Sequence, residues 1–532
     1  MEPLKIFDNF KFSELNEDWI QSVWDGEFMI YNEPPDEYQM FLESEDMRLL
    51  LNESCTVVKA WLEKGEDQNN SENYDPEISW NTLISMDINV RALLAVLGYI
   101  IKNGQSKTAN EETRQSCLYA TNLYFILLAI PGRCAFNVFH STLYQRAIET
   151  IKIGSEHLQP PLKKHNKIIS LDDLNITEQS MNETIILSQS EKKILIQNLN
   201  IIICSFILMI KSFWFKDHVQ SLDITVLGLI EVTKVQDDCI IGQCFNKKAG
   251  TLNVSLSQNA YAALKELCNN KHGPVEVTIT IIAKYLLPCL LYSHMDAQTK
   301  IITNIREHTI NFVKNLLDEY EKEAKTPILT LIQHIMLFCP DRLEARQKQA
   351  NVLLKLFEIC NQNIALEAFK DLILLSHHSK IPFRLFAQEI IGKLLLESFL
   401  LNSNITDCLK AKVKRAFFAI VLTRCMDCSS MVRGKAMAII AEFTKSSNEK
   451  DKEIFLTIFK KSDVNKQFLT FDDIKNSLSE DIDLLPGSNA LLTMLADRVE
   501  DERAMPQMQR SSINRPAFCC TSSVSTFRTI SR

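Results

Sequence analysis

Asp427-Cys-Ser-Ser-Met-Val432-Arg433-Gly-Lys435-Ala436-Met-Ala-Ile439-Ile440-Ala-Glu-Phe443 is the stretch on which the reading of this chain turns. An Asp opens a turn, Val-Arg follows five and six residues later, a small Ala comes three further on, and an apolar run completes it. The Asp is expected to cap the helix start, its carboxylate accepting backbone N–H groups that have no partner in the first turn. The Arg is expected to reach a neighbouring helical pair, and the Ala lets two helices approach closely. Weaker versions recur. Asp341-Arg-Leu-Glu-Ala345-Arg346 precedes Ala350 and a Leu run, Ile381-Pro382-Phe-Arg384-Leu-Phe-Ala387 precedes Ile390-Ile391, and Asp87-Ile-Asn-Val90-Arg91 precedes Leu93, Leu94 and Leu97. Four such segments in register with helix boundaries predict an all-α array of stacked helical pairs.

This is the sequence habit of the second helix of a HEAT repeat, so the expected fold is a HEAT-repeat α-solenoid, in which Asp427, Val432, Arg433 and Ala436 are structural. Composition agrees. Gly is scarce, 13 in 532 residues, whereas doubly wound enzymes need it at phosphate loops and strand–helix turns. A hydrophobic content of 46% supplies an ample core. The 15 cysteines are scattered, many inside apolar helical stretches (Cys204, Cys289, Cys360), with no disulfide framework, and the N-terminus has no basic region followed by an apolar core. A reducing compartment is expected. Ile201–Ile210 is apolar but bounded by Asn200 and Lys211, too short to span a bilayer, and is read as a buried helix.

Charge is uneven along the chain. Residues 1–80 hold 20 Asp/Glu against 5 Lys/Arg, so the overall net charge of −8 leaves the remainder positive. An acidic front and a basic body suit partners of both signs. The expected organisation is an acidic segment with a short helix over 1–45, helical repeats over 46–154, a solvated insertion over 155–190, a HEAT array over 191–503, and a disordered tail over 504–532. Two β-branched stretches, Ile224–Ile230 and Val275–Ile282, are read as helical from their surroundings. Met505 to Arg532 carries no acidic residue and no apolar helix pattern. It is read as the end of a truncated or alternatively spliced form.

Chemistry-bearing patterns are few. The P-loop, the dinucleotide fingerprint and the Gly-x-Ser-x-Gly elbow are missing. Cys425-Met-Asp-Cys428 has metal-pair spacing without a second pair, His377-His378 reads as an exposed turn, and carboxylates such as Asp427 with Glu442 are placed on solvated faces. No enzyme, metal or cofactor is expected. Lys410, Lys412, Lys414, Arg415, Arg424 and Lys435 form a basic cluster that two adjacent helices would present to phosphates without reading base sequence. Arg433, within the same cluster, is assigned to the repeat instead.

Several segments together resemble one family, the D-type ("D-three") HEAT subunit of condensin II. Tyr119-Ala-Thr-Asn-Leu-Tyr124-Phe125 leading to Pro131-Gly132, then Asn137-Val-Phe139-His140, is similar to its N-terminal helix pair. Ser379-Lys380-Ile381-Pro382-Phe-Arg384 resembles its Ser-Lys-Ile-Pro-x-Arg turn. Arg424-Cys-Met-Asp427 with Val432-Arg433-x-Lys435-Ala436 is similar to its central repeat. Trp19-Ile-Gln-Ser-Val23-Trp24 resembles its opening helix, and Met494-Leu495-x-x-Arg498-x-x-Asp501-Glu502 its following repeat, although Met505-Pro506-Gln replaces the Val-Arg-x-x-Ala expected next.

The resemblance implies a non-catalytic subunit of condensin II in the nucleus, docked on the kleisin beside an SMC ATPase pair and a second HEAT subunit. It would help hold chromatin DNA during mitotic chromosome condensation, with no membrane association. The alternative is another HEAT scaffold, such as a nuclear transport receptor or a phosphatase scaffold.

Overall fold

The computed structural model describes residues 2–29, 32–66, 79–86, 88–132, 138–159, 187–235, 255–291, 299–340, 342–396, 406–445, 449–460, 463–470, 473–474 and 484–499. Asp87, Asp341, most of the 155–190 insertion, the loop after Gly65 and the whole of 504–532 lie outside them, as do Asp501 and Glu502. The described residues are helical or in turns, with no strand among them. The chain divides into two compact units, residues 1–289 with 298–305, and 290–297 with 306–532.

The first unit contains α1 (Glu17–Asp25), α2 (Asp36–Leu42), α3 (Glu45–Glu66), α4 (Trp80–Ser85), α5 (Val90–Gly104), α6 (Glu111–Ala129), α7 (Ser141–Leu158), α8 (Gln189–Ser212), α9 (Val219–Thr233) and α10 (Leu256–Glu266). The boundary between units falls within α11 (Val275–Leu291) and α12 (Thr299–Glu319). The second unit continues with α13 (Glu321–Leu337), α14 (Leu343–Ile359), α15 (Gln362–Ser376), α16 (Ile381–Leu396), α17 (Asp407–Arg424), α18 (Ser430–Thr444), α19 (Glu449–Lys460) and α20 (Ser488–Val499).

Several helices start where local chemistry supplies a cap. Asn89, Asn110 and Asn361 accept from the backbone N–H groups of Ala92, Thr113 and Ile364. Ser188 with Glu191 and Ser255 with Gln258 form reciprocal capping boxes. Apolar faces then sort the helices into layers. In the first unit α3, α6, α8 and α10 pack in succession, and α5, α7 and α9 form a second row against them. In the second unit α13, α15 and α17 form one row and α14, α16 and α18 the other. Helices within these rows touch their equivalents in adjacent pairs and most touch a pair mate, the arrangement of a HEAT-like repeat in each unit.

Aromatic edges knit the rows. Phe125 of α6 meets Phe206 of α8 at 5.4 Å, and Phe369 of α15 meets Phe417 of α17 at 5.4 Å. The buried Tyr144 hydroxyl bonds Thr225 across 2.6 Å, satisfying two polar groups inside the α7–α9 contact. By length and composition alone α8 could cross a membrane, but half of its most apolar window is buried, where α8 packs against α6 and α10.

The β-branched stretches at 224–230 and 275–282 lie inside α9 and α11. The acidic N-terminal segment, expected to carry one short helix, also forms a 3-10 helix over Glu2–Phe10 that buries Leu4, Phe7 and Phe10 and packs against α3. α12 ends at Glu319, and Pro327 sits inside α13.

Candidate functional site

The turn between α17 and α18 carries the most concentrated buried charge in the second unit. Asp427 is buried there. Its Oδ1 accepts from the Ser429 backbone N–H at 2.9 Å and from Arg384 Nη2 at 3.0 Å. Its Oδ2 accepts from Arg384 Nε at 2.9 Å and Arg424 Nη1 at 2.8 Å. Burial works to raise this carboxyl, but the Ser429 N–H, the Arg384 fork and the charges of Arg384 and Arg424 outweigh it and hold its pKa below the ordinary value. Asp427 is therefore an ionised structural anion, poorly suited to act as a base.

The expected division of labour between residues is altered here. Asp427 does not cap α18. Ser429 is the N-cap residue, and Asp427 closes a local turn just before it. Arg433 folds back on its own turn, donating to the carbonyls of Asp427 (2.9 Å) and Cys428 (3.2 Å). The residue that reaches the adjacent helical pair is Arg384, which also donates to the carbonyls of His378 (2.9 Å) and Ser379 (2.8 Å). Arg346 donates to Pro340 O at 3.2 Å. In three successive pairs an Arg thus satisfies a turn carbonyl six residues upstream. Val432 and Ala436 are fully buried beside these residues, and Gly392 of α16 lies so close to α18 that a Cβ there would stand 3.0 Å from Ile439.

The basic cluster is only partly a surface. Lys435 pairs with the buried Glu389 of α16 at 2.6 Å, and Arg424 is committed to Asp427. Lys410 lies 3.7 Å from Asp407 within α17. Lys412 and Lys414 are half-buried, and Arg415 is exposed. The cations gathered by sequence counting divide into two groups, one bound inside the stack and one along the first half of α17.

Asp427 is not on a solvated face, and His377 and His378 are half-buried rather than in an exposed turn. Burial and the Arg424 charge push the His377 imidazole down to about 4, and its Nδ1 lies 2.8 Å from Ser376 Oγ. His378 packs on Phe383, ring centroids 4.3 Å apart. Cys425 is buried, its thiol pushed up to about 12, whereas Cys428 is exposed. Opposite environments do not make a ligand pair. Among the described residues no His, Cys, Asp and Glu side chains gather as a metal site. Sequence reading missed the Lys435–Glu389 pair and the role of Arg346. The six-residue interval from turn to Arg was the available signal for the latter.

Residues 19–193 match the family described as Condensin-2 complex subunit D3-like, N-terminal domain. The chain is similar to Condensin-2 complex subunit D3 of Mus musculus, 24% identical over 553 aligned residues that cover 92% of this chain and 35% of that protein. It is also similar to Condensin-2 complex subunit D3-L of Xenopus laevis, 26% identical over 473 residues, 80% of this chain and 30% of that one. The chain thus spans about a third of the length of these relatives. A solved engineered protein covers 81% of the chain at 10% identity and a TM-score of 0.25, too low to carry an argument.

Proposed function

We propose, taking as premise that the chain's N-terminal third belongs to the Condensin-2 complex subunit D3-like family, that this protein is a non-catalytic scaffold subunit of condensin II. In this reading it docks on the kleisin, sits beside the SMC ATPase pair and the second HEAT subunit, and acts on chromosomes in the nucleus during mitotic condensation. The observation that carries the proposal is collinearity. Similarity to the mouse subunit extends over 92% of this chain, and the paired helical rows supply the extended surfaces on which solenoids hold partners.

DNA contact is assigned to the first half of α17, led by the exposed Arg415 with the half-buried Lys410, Lys412 and Lys414 beside it. Arg424 and Lys435 act through the stack, since both are held by buried carboxylates. Such contacts give salt-sensitive binding without base readout.

The test is co-expression of the chain with the condensin II kleisin and co-purification in moderate salt. A stoichiometric complex supports the reading. If neither this chain nor one extended by further repeats is retained by the kleisin, the reading is wrong.

A further inference from the structure

Within the stacked pairs α13 to α18, the second unit leaves large apolar side chains in water at one kind of place, the turns; Val464, Leu492 and Val499 are exposed beyond those pairs. Among the described residues from 306 to 460, the exposed ones are Leu337, Phe338, Leu343, Leu374, Ile381, Met426 and Met431, each between 40 and 57% exposed. All seven sit at the turns inside helical pairs: the first three at α13–α14, the next two at α15–α16, the last two at α17–α18. A turn of this kind is ordinarily polar. The α5–α6 turn of the first unit reads Gln105-Ser106-Lys107-Thr108.

The three turns are consecutive along one edge and tied to each other. Cys339 Sγ donates to Pro382 O at 3.3 Å, linking the first to the second. Arg384 on Asp427 links the second to the third. Apolar side chains that would scatter on an ordinary surface are thus lined up in one row, the condition under which exposed apolar area marks a binding site.

The row is flanked by a small excess of positive charge: the exposed ionic side chains described at its margin are Arg342, Lys348 and Lys380 against Glu344, and the sequence adds Asp341 in the α13–α14 turn. Helices in adjacent pairs pack about 8–10 Å apart, which sets the distance from one apolar turn to the next. A polyproline-type extended chain repeats every three residues, about 9 Å, and needs no partner for its backbone from the receptor. Six of the seven side chains are aliphatic or thioether, which gives nucleic acid bases little to stack on.

We propose that this turn edge docks an extended acidic peptide of a partner protein, one presenting a large apolar side chain at every third residue. The inference rests on the geometry of the second unit alone, independent of the condensin reading.

The test is fluorescence anisotropy of the whole chain with a labelled Asp-Leu-Pro repeat peptide of about twelve residues, beside a Lys-Leu-Pro peptide of equal length. Binding of the acidic peptide is expected, weakened roughly tenfold or more in Phe338→Ser/Met431→Ser and weakened by salt, with no binding of the basic one. Circular dichroism checks that the variant keeps its fold. If it does not, Arg342→Glu/Lys380→Glu tests the same edge through charge and is expected to abolish the preference for the acidic peptide. No anisotropy change with wild type, equal affinity in the apolar or charge variants, or preference for the basic peptide would overturn the proposal. So would a wild-type dimer in sedimentation that the Phe338→Ser/Met431→Ser change dissolves, since the edge would then be covered by a second copy.

Discussion

Arg384 and Asp427, 43 residues apart, meet as a planar fork on a carboxylate, with Nε to Oδ2 at 2.9 Å and Nη2 to Oδ1 at 3.0 Å. The third nitrogen of the same guanidinium donates to the carbonyls of His378 and Ser379. One side chain therefore closes its own turn and anchors the next, using in-plane donors on two edges of a rigid group that lysine cannot imitate.

Removing either member strands the other in a buried site. Asp427→Ala is expected to destabilise the second unit by about 3–5 kcal/mol, because Arg384 and Arg424 are left without their anion. Urea unfolding measures the loss, and amide hydrogen exchange should show it concentrated in α17 and α18. The Arg384→Met/Asp427→Ala pair should cost less than the sum of the single changes. Additive losses would mean that the fork is not the coupling element.

His272 gives the first unit a pH dependence. Its Nδ1 accepts from the Phe215 N–H, and burial with the Lys271 charge pushes the imidazole from 6.5 down to about 4. A folded pKa below the unfolded one means that the unfolded state takes up protons first as pH falls. Stability is thus complete above about 6.5 and is lost through the window from 6.5 down to about 4. Going from pH 7 to pH 5 should cost roughly 2 kcal/mol from this group. His272→Asn should flatten that part of the profile in denaturant titrations at a series of pH values.

The two groups within the basic cluster should separate by readout. Arg415→Glu is expected to weaken binding to a duplex several-fold at low salt, and to lower the salt slope by about 1, without changing the melting temperature. Lys435→Ala leaves Glu389 buried without its cation, so it should lower the melting temperature and affect DNA only through that loss. An unchanged slope in Arg415→Glu would remove α17 from the interface.

Gly228 marks a close approach of α9 to α7. A Cβ there would lie 2.6 Å from Ile148 Cγ2. On an exposed helix Gly→Ala stabilises by about 1 kcal/mol; at this position Gly228→Ala should instead destabilise by about 1–3 kcal/mol. The sign of the change in urea midpoint decides whether the two helices are as tightly apposed as their geometry requires.

The helical pairs were legible because their signals are local. The turn before Arg433, the caps at Asn110 and Asn361, and the apolar runs all lie within a few residues of the helix ends they specify. What stayed hidden was long-range. Nothing near Lys435 announces that Glu389 holds it, and nothing near Asp427 announces that Arg384 buries it. Counting cations along the chain therefore overstated the free surface, because pairing across helices is decided by stacking rather than spacing. The N-terminal 3-10 helix was missed for a related reason. Leu4, Phe7 and Phe10 fall at three-residue intervals that favour a tight helix only once α3 offers a surface to cover them.

The polar ties between successive turns, Cys339 to Pro382 and Arg384 to Asp427, all lie on one edge of the second unit. Apolar rows resist separation but slide with little directional preference, whereas a hydrogen-bonded fork fixes both distance and angle. The opposite helix ends are also joined, by the exposed bonds from Asn361 to Glu321 and from the Thr406 N–H to Gln362. A load bending the stack would therefore meet a buried, charged tie at the turn edge and only water-competed ones at the other.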